Sequence, residues 1–274
     1  IITYKDKEGV EVFRHSTSHL LAHAVVELFP NAKPTIGPAV EEGFYYDFEV
    51  EHHFTPDDLV KIEQRMHEIV KKDYKVERID LSLSEAKKIF HDNNYKIELI
   101  DEFNEPTSAY RQGDFIDLCR GPHLSSTGKI KALKLTKIAA AYWRGDQKNK
   151  QLQRIYGISF PDKKDLEAHF KLIEEAEKRD HRKIGKELEW FNFFDESPGA
   201  PFFFPKGTVI YNQLLNFVRS EYRKRGYQEV ITPILYDKSL WVTSGHWSHF
   251  REHMFTLESE GKEYSLKPMN CPSH

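Results

Sequence analysis

The sequence predicts a first domain of the α+β class, then a charged linker helix, then the beginning of a second domain. Three observations predict this arrangement. Apolar residues recur at helical spacing between residues 14 and 29, and short strand-like runs alternate with turns from 95 to 160. From Asp162 to about Trp190 the pattern becomes helical and strongly charged. We therefore place the first domain at residues 1–161, the linker helix at 162–179 and the second domain at 180–274.

The first domain is predicted to open with a helix over residues 14–29. Its apolar positions, such as Leu20 and Leu28, share one helical face, and Pro30 ends it because proline cannot continue a helix. The aromatic run over residues 44–48 indicates a strand.

Two further helix starts follow. Thr55 is typical of an N-cap, and Pro56 after it is typical of a first helical position. Ser84 marks the start of a shorter helix. With the strands and turns over residues 95–160, these elements complete an α+β domain that closes near Pro161.

The linker helix presents a stripe that includes Leu166 and Phe170. In the second domain, a helix is predicted from about residue 208 to residue 225, ended by Gly226 as its C-cap. A strand over Tyr227–Ile231 is predicted to follow.

Composition limits the classes of protein that this chain can represent. Of its 274 residues 39% are hydrophobic and 30% are charged, which is typical of a globular protein. The longest apolar run, Ile138 to Trp143, is far shorter than the ~20 residues that span a bilayer, so no membrane segment is expected. Two cysteines, Cys119 and Cys271, do not make a disulfide framework and favour a reducing compartment such as the cytoplasm.

The net charge of −3 does not itself indicate nucleic acid, but basic residues cluster locally. Such clusters bind phosphates when aromatic residues lie among them, and they are equally typical of a solvated helix face. The clusters comprise Lys129, Lys131, Lys134 and Lys137, then Arg144, Lys148, Lys150 and Arg154, then Lys178 to Lys186.

The residues most suggestive of chemistry are two histidines on the first helix and a distant cysteine–histidine pair. His15 and His19 are four residues apart and share a helix face, and Cys119 precedes His123 by the same spacing. These four can form a tetrahedral zinc site or a polar cluster that activates a water molecule, and a structural metal site or coincidence stays open. Asp117 should project to the same side of its strand as Cys119.

A metalloprotease is disfavoured because Ser16 stands where a His-Glu-x-x-His motif requires glutamate.

Several segments together resemble bacterial-type threonyl-tRNA synthetases, whose editing domain is shared more distantly with alanyl-tRNA synthetases. The resemblance runs from about residue 13 to residue 274. It is carried by His15–Leu21, Asp117–His123, Ala140–Asp146, Gln153–Gly157, Lys178–Gly185, Tyr227–Pro233, which is similar to class II motif 1, and Lys267–Pro272.

The resemblance implies a two-layer α/β editing domain followed by the start of a class II antiparallel-sheet aminoacylation domain. It implies a threonine–tRNA ligase that also hydrolyses serine mischarged on the threonine tRNA. Threonine and serine differ by one methyl group, which contributes only ~1–3 kcal/mol of discrimination, so a second, hydrolytic site is needed. By resemblance, the editing residues are His15, His19, Lys96, Tyr110, Asp117, Cys119 and His123.

In these roles, His15 and His19 position or deprotonate the water, and Lys96 assists the water or the leaving oxygen. Asp117 holds the serine amino group or a tRNA hydroxyl. Cys119 shapes the pocket, and Tyr110 flanks it.

For the second domain, the resemblance implies that Cys271 is one ligand of a catalytic zinc ion. ATP and Mg²⁺ serve the ligase reaction, and motif 1 implies a homodimer. Motifs 2 and 3 and two zinc ligands are not among these residues, so we expect editing but no amino-acid activation from them. One departure is Ser273, where the family usually has glycine. The alternatives are a non-catalytic, zinc-stabilised RNA-binding module and an alanyl-type trans-editing deacylase.

Overall fold

A computed structural model describes residues 3–274, which divide into two compact units at Lys178 and Arg179. The predicted mixed α/β class with antiparallel sheets is confirmed. Among the residues described, no helix is both long enough and apolar enough to cross a membrane.

The first unit contains a large sheet, a small sheet and the helices that cover them. Its helices are α1 (Lys7–Leu28), α2 (Pro56–Lys72), α3 (Leu83–Ile89), α4 (Asn94–Phe103) and α5 (Lys163–Lys178). Its strands are β1 (Lys33–Pro34), β2 (Ala39–Val40), β3 (Gly43–Glu49), β4 (Val76–Leu81), β5 (Thr107–Gln112), β6 (Phe115–Leu118), β7 (Ala132–Tyr142) and β8 (Gln151–Phe160).

The large sheet is antiparallel, in the order β1-β3-β8-β7, with β2 paired to β3. Strand β3 confirms the predicted strand, and its alternate residues Phe44, Tyr46 and Phe48 are buried. They pack with α1 and α2 in the main core of the unit. Inward-facing side chains of β3 therefore lie close to the histidine-bearing helix α1.

Helix α1 begins at Lys7, seven residues before the predicted start, and ends at Leu28 as predicted. The extra turns contain the exposed Lys7, Glu8 and Glu11 together with Gly9, and their half-buried Val10 and Val12 are not at helical spacing, so the helix start is not evident from the sequence. Residues 16–25 are buried throughout, which places polar side chains of this helix inside the protein.

The small sheet has the order β4-β5-β6 and packs against α3 and α4. Helix α4 occupies residues that were predicted to form strands and turns, so that prediction was wrong. Asn93 caps it, since its side-chain oxygen accepts hydrogen bonds from the backbone N–H groups of Tyr95 and Lys96. Burial of Ile100 against the small sheet then stabilises the helix.

Helix α2 confirms the predicted cap. The Thr55 hydroxyl accepts from the backbone N–H of Asp58, and the Asp58 carboxylate accepts from the backbone N–H of Thr55. Buried Ile62, Met66 and Ile69 follow on one face.

Helix α5 occupies nearly the whole range 162–179 given for the linker helix, and the helical pattern expected from Asp162 to about Trp190 divides into two helices. Helix α5 lies in the first unit, where it packs on β7 and β8 and His169 contacts Phe160 at 5.3 Å between ring centroids. Asp180 then caps a separate helix, because its carboxylate accepts from the backbone N–H of Arg182.

The second unit is smaller and leaves many apolar side chains exposed. It contains α6 (His181–Glu187), β9 (Phe191–Asn192), β10 (Phe202–Phe203), α7 (Pro205–Lys224), β11 (Leu235–Asp237), α8 (Lys238–Thr243), α9 (His246–Phe250), β12 (Thr256–Ser259) and β13 (Lys262–Leu266). Strands β11, β13 and β12 form an antiparallel sheet.

The predicted strand over Tyr227–Ile231 is wrong, since these residues pair with no strand among those described. Ile231 is 93% exposed and Val230 is 61% exposed, so no burial stabilises a strand here. The preceding helix ends as predicted, with Gly226 at a φ of 78°.

Replacing the helix cap should measurably weaken the first unit. We expect Thr55→Ala to lower the free energy of unfolding by about 1 kcal/mol, because Asp58 loses its hydroxyl partner. Urea unfolding of the chain measures the change. Thr55→Ser keeps the hydroxyl and should remain close to wild type, whereas equal losses in both variants would contradict the role of the cap.

Candidate active site

The seven predicted editing residues come together in the first unit from three directions. Helix α1 supplies His15 and His19, and α4 supplies Lys96. The small sheet and the loop after it supply the remaining four, Tyr110, Asp117, Cys119 and His123. The predicted grouping in space is therefore observed, although the geometry alone does not assign a role to each residue.

The Cys119 thiol is the centre of one cluster. Its Sγ atom lies 3.0 Å from His15 Nε2 and 3.1 Å from His123 Nε2. The backbone N–H of Gly121 donates to the same sulfur at 3.2 Å. Burial opposes ionisation, but hydrogen bonds with His123, His15 and His19 lower the pKa of Cys119 to about 3. The sulfur is consequently a thiolate at neutral pH.

The loop that carries this thiol is closely packed. Gly121 has a φ of 68°, and a Cβ atom there would lie 2.0 Å from the Tyr110 hydroxyl oxygen. Glycine is therefore required by both conformation and space. The Tyr110 ring also contacts His123, at 4.3 Å between centroids. Tyr110 thus flanks the cluster, where the resemblance predicted it.

A second cluster surrounds the buried carboxylate of Asp117. Its oxygens lie 3.0 Å from His19 Nδ1 and 2.7 Å from Lys96 Nζ. The Tyr46 hydroxyl donates to Asp117 at 2.5 Å and accepts from Lys96 at 3.1 Å. All four side chains are buried, so each charge depends on its partners rather than on water.

The charges in this network shift the pKa values of His19 and His123 in opposite directions. Burial opposes protonation of His19, but the Asp117 carboxylate raises the pKa of His19 to about 9. Burial and the positive His19 ring lower the pKa of His123 to about 4. Lys96 and His19 hold the pKa of Asp117 well below its usual range despite burial. At neutral pH, His19 is therefore protonated and His123 is not.

Tyr46 is the residue of this site that sequence reasoning missed. The available signal was its inward-facing position on β3, since a buried tyrosine hydroxyl needs a hydrogen-bond partner. The sequence contained no indication that this partner would be Asp117, which is 71 positions away along the chain.

The donor atoms of His15, His19, Cys119 and His123 all lie within 4.8 Å of one another. Three imidazoles and one thiolate fit a tetrahedral zinc ion, and His19 also contacts a carboxylate through its other ring nitrogen, as metal-bound histidines do. Zinc bound there would lower the pKa of a coordinated water molecule. Cys271 is exposed, lies in the second unit and does not belong to this group.

A family model described as the threonyl and alanyl tRNA synthetase second additional domain matches residues 107–156. The threonine–tRNA ligase of Acetivibrio thermocellus is 53% identical to the chain, over 99% of this chain and 44% of the relative. That of Dechloromonas aromatica is 54% identical, over 100% of this chain and 44% of the relative. The chain thus spans less than half the length of these ligases.

One solved structure also aligns, the RNA-binding domain of threonyl-tRNA synthetase from Cryptosporidium parvum, at 49% identity. The alignment covers 35% of this chain and 24% of that chain, and its TM-score of 0.34 is too low to compare the folds. Threonine–tRNA ligases therefore match this chain over its whole length, and the resemblance to threonyl-tRNA synthetases that the motifs predict is confirmed.

Proposed function

We propose that the first unit hydrolyses the ester that joins serine to the terminal adenosine of the threonine tRNA. The observation that carries this proposal is the convergence of His15, His19, Cys119 and His123 beside the buried Asp117–Lys96 pair, and the pKa values, raised for His19 and lowered for His123, agree with it. Ester hydrolysis needs both a proton acceptor for water and positive charge near the developing oxyanion. A pair of groups with separated pKa values supplies both.

These protonation states suggest a division of labour. His19, already protonated, is a poor base and instead holds positive charge in the site. The neutral ring of His123 contacts the Cys119 sulfur through Nε2 and the Ser16 hydroxyl through Nδ1, so it can accept a proton from water only when Nδ1 leaves Ser16. His15 lies beside it with its ring stacked at 4.7 Å. The proposal therefore keeps both predicted helix histidines in the site, leaves His15 as a candidate base as predicted, adds His123 of the loop as a second candidate, and gives His19 the positive charge instead.

Lys96 and Asp117 are buried in the free protein, and they can bind the polar ends of the substrate once the site opens to admit the ester. Asp117 accepts hydrogen bonds from Lys96, His19 and Tyr46, and a carboxylate has about four lone-pair positions, so one remains for the serine amino group. Lys96 has three donors, of which two contact Asp117 and Tyr46, so the third can reach the ester's leaving oxygen.

Selectivity for serine can come from the small space beside the imidazoles. The cavity there has a volume of about 10 Å³, room for roughly one water molecule, so the site must widen to admit the serine ester, and Ser16, Tyr110 and Gln112 are among its polar lining residues. An added methyl group in a closely packed site causes steric conflict. The threonine ester, larger by that methyl group, is therefore expected to be excluded.

We further propose that the second unit begins a class II aminoacylation domain and that the whole protein is an ATP- and Mg²⁺-dependent threonine–tRNA ligase. The support is the sequence identity of 53% and 54% to two threonine–tRNA ligases, in alignments that cover both units. A cytoplasmic location, a homodimer and a zinc ion held by Cys271 belong to the same proposal. The relatives' name favours this over an alanyl-type deacylase.

Turnover distinguishes an editing enzyme from an RNA-binding module. We expect this chain to hydrolyse the serine ester of the threonine tRNA and to spare the threonine ester. His19→Ala should reduce serine release by about 100-fold or more, because the positive charge at the site is lost. His67→Ala, on α2 and outside the cluster, is the matched control. Binding of the tRNA without release of serine would leave only a binding module.

Alkaline pH should slow hydrolysis as His19 loses its proton. The rate is expected to fall as the pH rises through about 9, and Asp117→Asn should move this fall to lower pH, because it removes the carboxylate that raises the pKa of His19. Single-turnover rates, corrected for spontaneous hydrolysis, measure the profile.

If Asp117→Asn leaves too little activity, NMR titration of the His19 ring measures the same shift. An unchanged pKa of His19 in this variant would exclude the proposed pairing.

Zinc content tests the role of Cys271. In a longer protein that contains the other proposed ligands, Cys271→Ser should remove one zinc ion per subunit, because a hydroxyl binds zinc far more weakly than a thiolate does. Elemental analysis after dialysis measures it, and Cys119→Ser, analysed in parallel, measures any zinc that the cluster of the first unit holds. If the Cys271→Ser protein holds as much zinc per subunit as the wild type, Cys271 is not a zinc ligand.

A further inference from the structure

We propose that Asn93 is a positioning residue that places the Lys96 ammonium between Asp117 and Tyr46. This inference deepens the proposed hydrolytic function and rests on it. Asn93 immediately precedes α4, the helix that carries Lys96, and its side chain contacts two elements at once.

One end of the Asn93 amide holds the helix. The side-chain oxygen accepts hydrogen bonds from the backbone N–H groups of Tyr95 at 3.1 Å and Lys96 at 3.3 Å. This is an N-cap in which one of the two satisfied donors belongs to Lys96 itself. The backbone at Lys96 is therefore tied directly to the amide plane of Asn93.

The other end of the amide holds the large sheet. Its Nδ2 atom donates to the carbonyl oxygen of Pro34 at 2.8 Å. Pro34 lies on β1 and pairs with Phe48 of β3, the strand that also carries Tyr46. Asn93 thereby connects the backbone that carries Lys96 to the strand pair that carries the Lys96 partner.

The two ends of Lys96 are consequently fixed relative to each other. Its Nζ atom contacts Tyr46 of the large sheet and Asp117 of the small sheet, and the whole side chain is 2% exposed. A buried ammonium without its partners is very costly, so the helix must deliver it accurately. A capping residue that only accepted hydrogen bonds would fix where α4 begins along the chain, but it would not fix where α4 lies against the large sheet.

Variants can separate the capping of α4 by the Asn93 side-chain oxygen from the hydrogen bond that its Nδ2 atom donates to Pro34. Asn93→Asp keeps the size and the capping oxygen but removes the Nδ2 donor, and Asn93→Ser also keeps a cap but cannot span to Pro34. Asn93→Ala removes both. If the amide donor positions Lys96, all three should lose a similar amount of activity, whereas only the alanine variant should lose substantial thermal stability.

Kinetics measure the first effect. For the full chain and the serine ester of the threonine tRNA, we expect kcat to fall about 10- to 100-fold in Asn93→Asp, with KM nearly unchanged, as a displacement near 1 Å typically causes. Ser82→Ala, which removes the cap of α3 at a distance from the site, should lose stability but not activity.

A measurement independent of activity follows the position of Lys96. Acetylation by an N-hydroxysuccinimide ester, quantified by peptide mass spectrometry, should scarcely modify Lys96 in the wild type and should modify it severalfold faster in Asn93→Asp. The exposed Lys75, at the start of the small sheet and away from Asn93, serves as internal reference. Unchanged labelling and unchanged kcat in Asn93→Asp and Asn93→Ser would overturn the inference.

A third outcome separates the two proposals. If the wild type does not cleave the ester but Asn93→Asp still exposes Lys96 to the reagent, the positioning role stands and the hydrolytic function fails. If hydrolysis falls in Asn93→Asp while Lys96 stays protected, Asn93 acts by another route and the positioning role is excluded.

Discussion

The buried carboxylate of Asp117 is the interaction on which the first unit's site depends. This carboxylate contacts His19 of helix α1, Lys96 of helix α4 and Tyr46 of strand β3 in the large sheet. Removing one member of such a buried ionic network leaves an unpaired charge, which costs about 3–5 kcal/mol. The same contacts that hold the layers together therefore set the protonation of the histidines.

Part of this site was predictable from the chain because it is local. The spacing of His15 and His19 on one helix face, and of Cys119 and His123 around Gly121, follows from helix and turn geometry alone. The contact between the two pairs spans more than a hundred residues, so their residue types only suggested the grouping, and the resemblance gave it a role. Tyr46 was not found, since nothing local distinguishes a tyrosine that touches a carboxylate from one that fills a core.

The secondary structure shows the same limit, because elements that depend on contacts between distant residues were not predicted. The capping box at Thr55 was recognised because all its partners lie within four residues. Helix α4 was missed because its stability comes from Asn93 and from burial of Ile100 on a distant sheet. In the second unit, Tyr227–Ile231 has the composition of a strand, but no strand among those described pairs with it. Strand propensity expresses packing against neighbours, and without neighbours it does not produce a strand.

The charge arrangement of the site favours the proposed hydrolysis over RNA binding by the site itself. The positive charges of Lys96 and His19 are nearly cancelled by the negative charges of Asp117 and the Cys119 thiolate. The site therefore has little net attraction for a polyanion. Affinity for RNA must then come from surfaces outside it, while the site's own groups act on a neutral ester. A fixed set of dipoles and charges in a water-poor cavity is what stabilises a developing oxyanion without reorganisation.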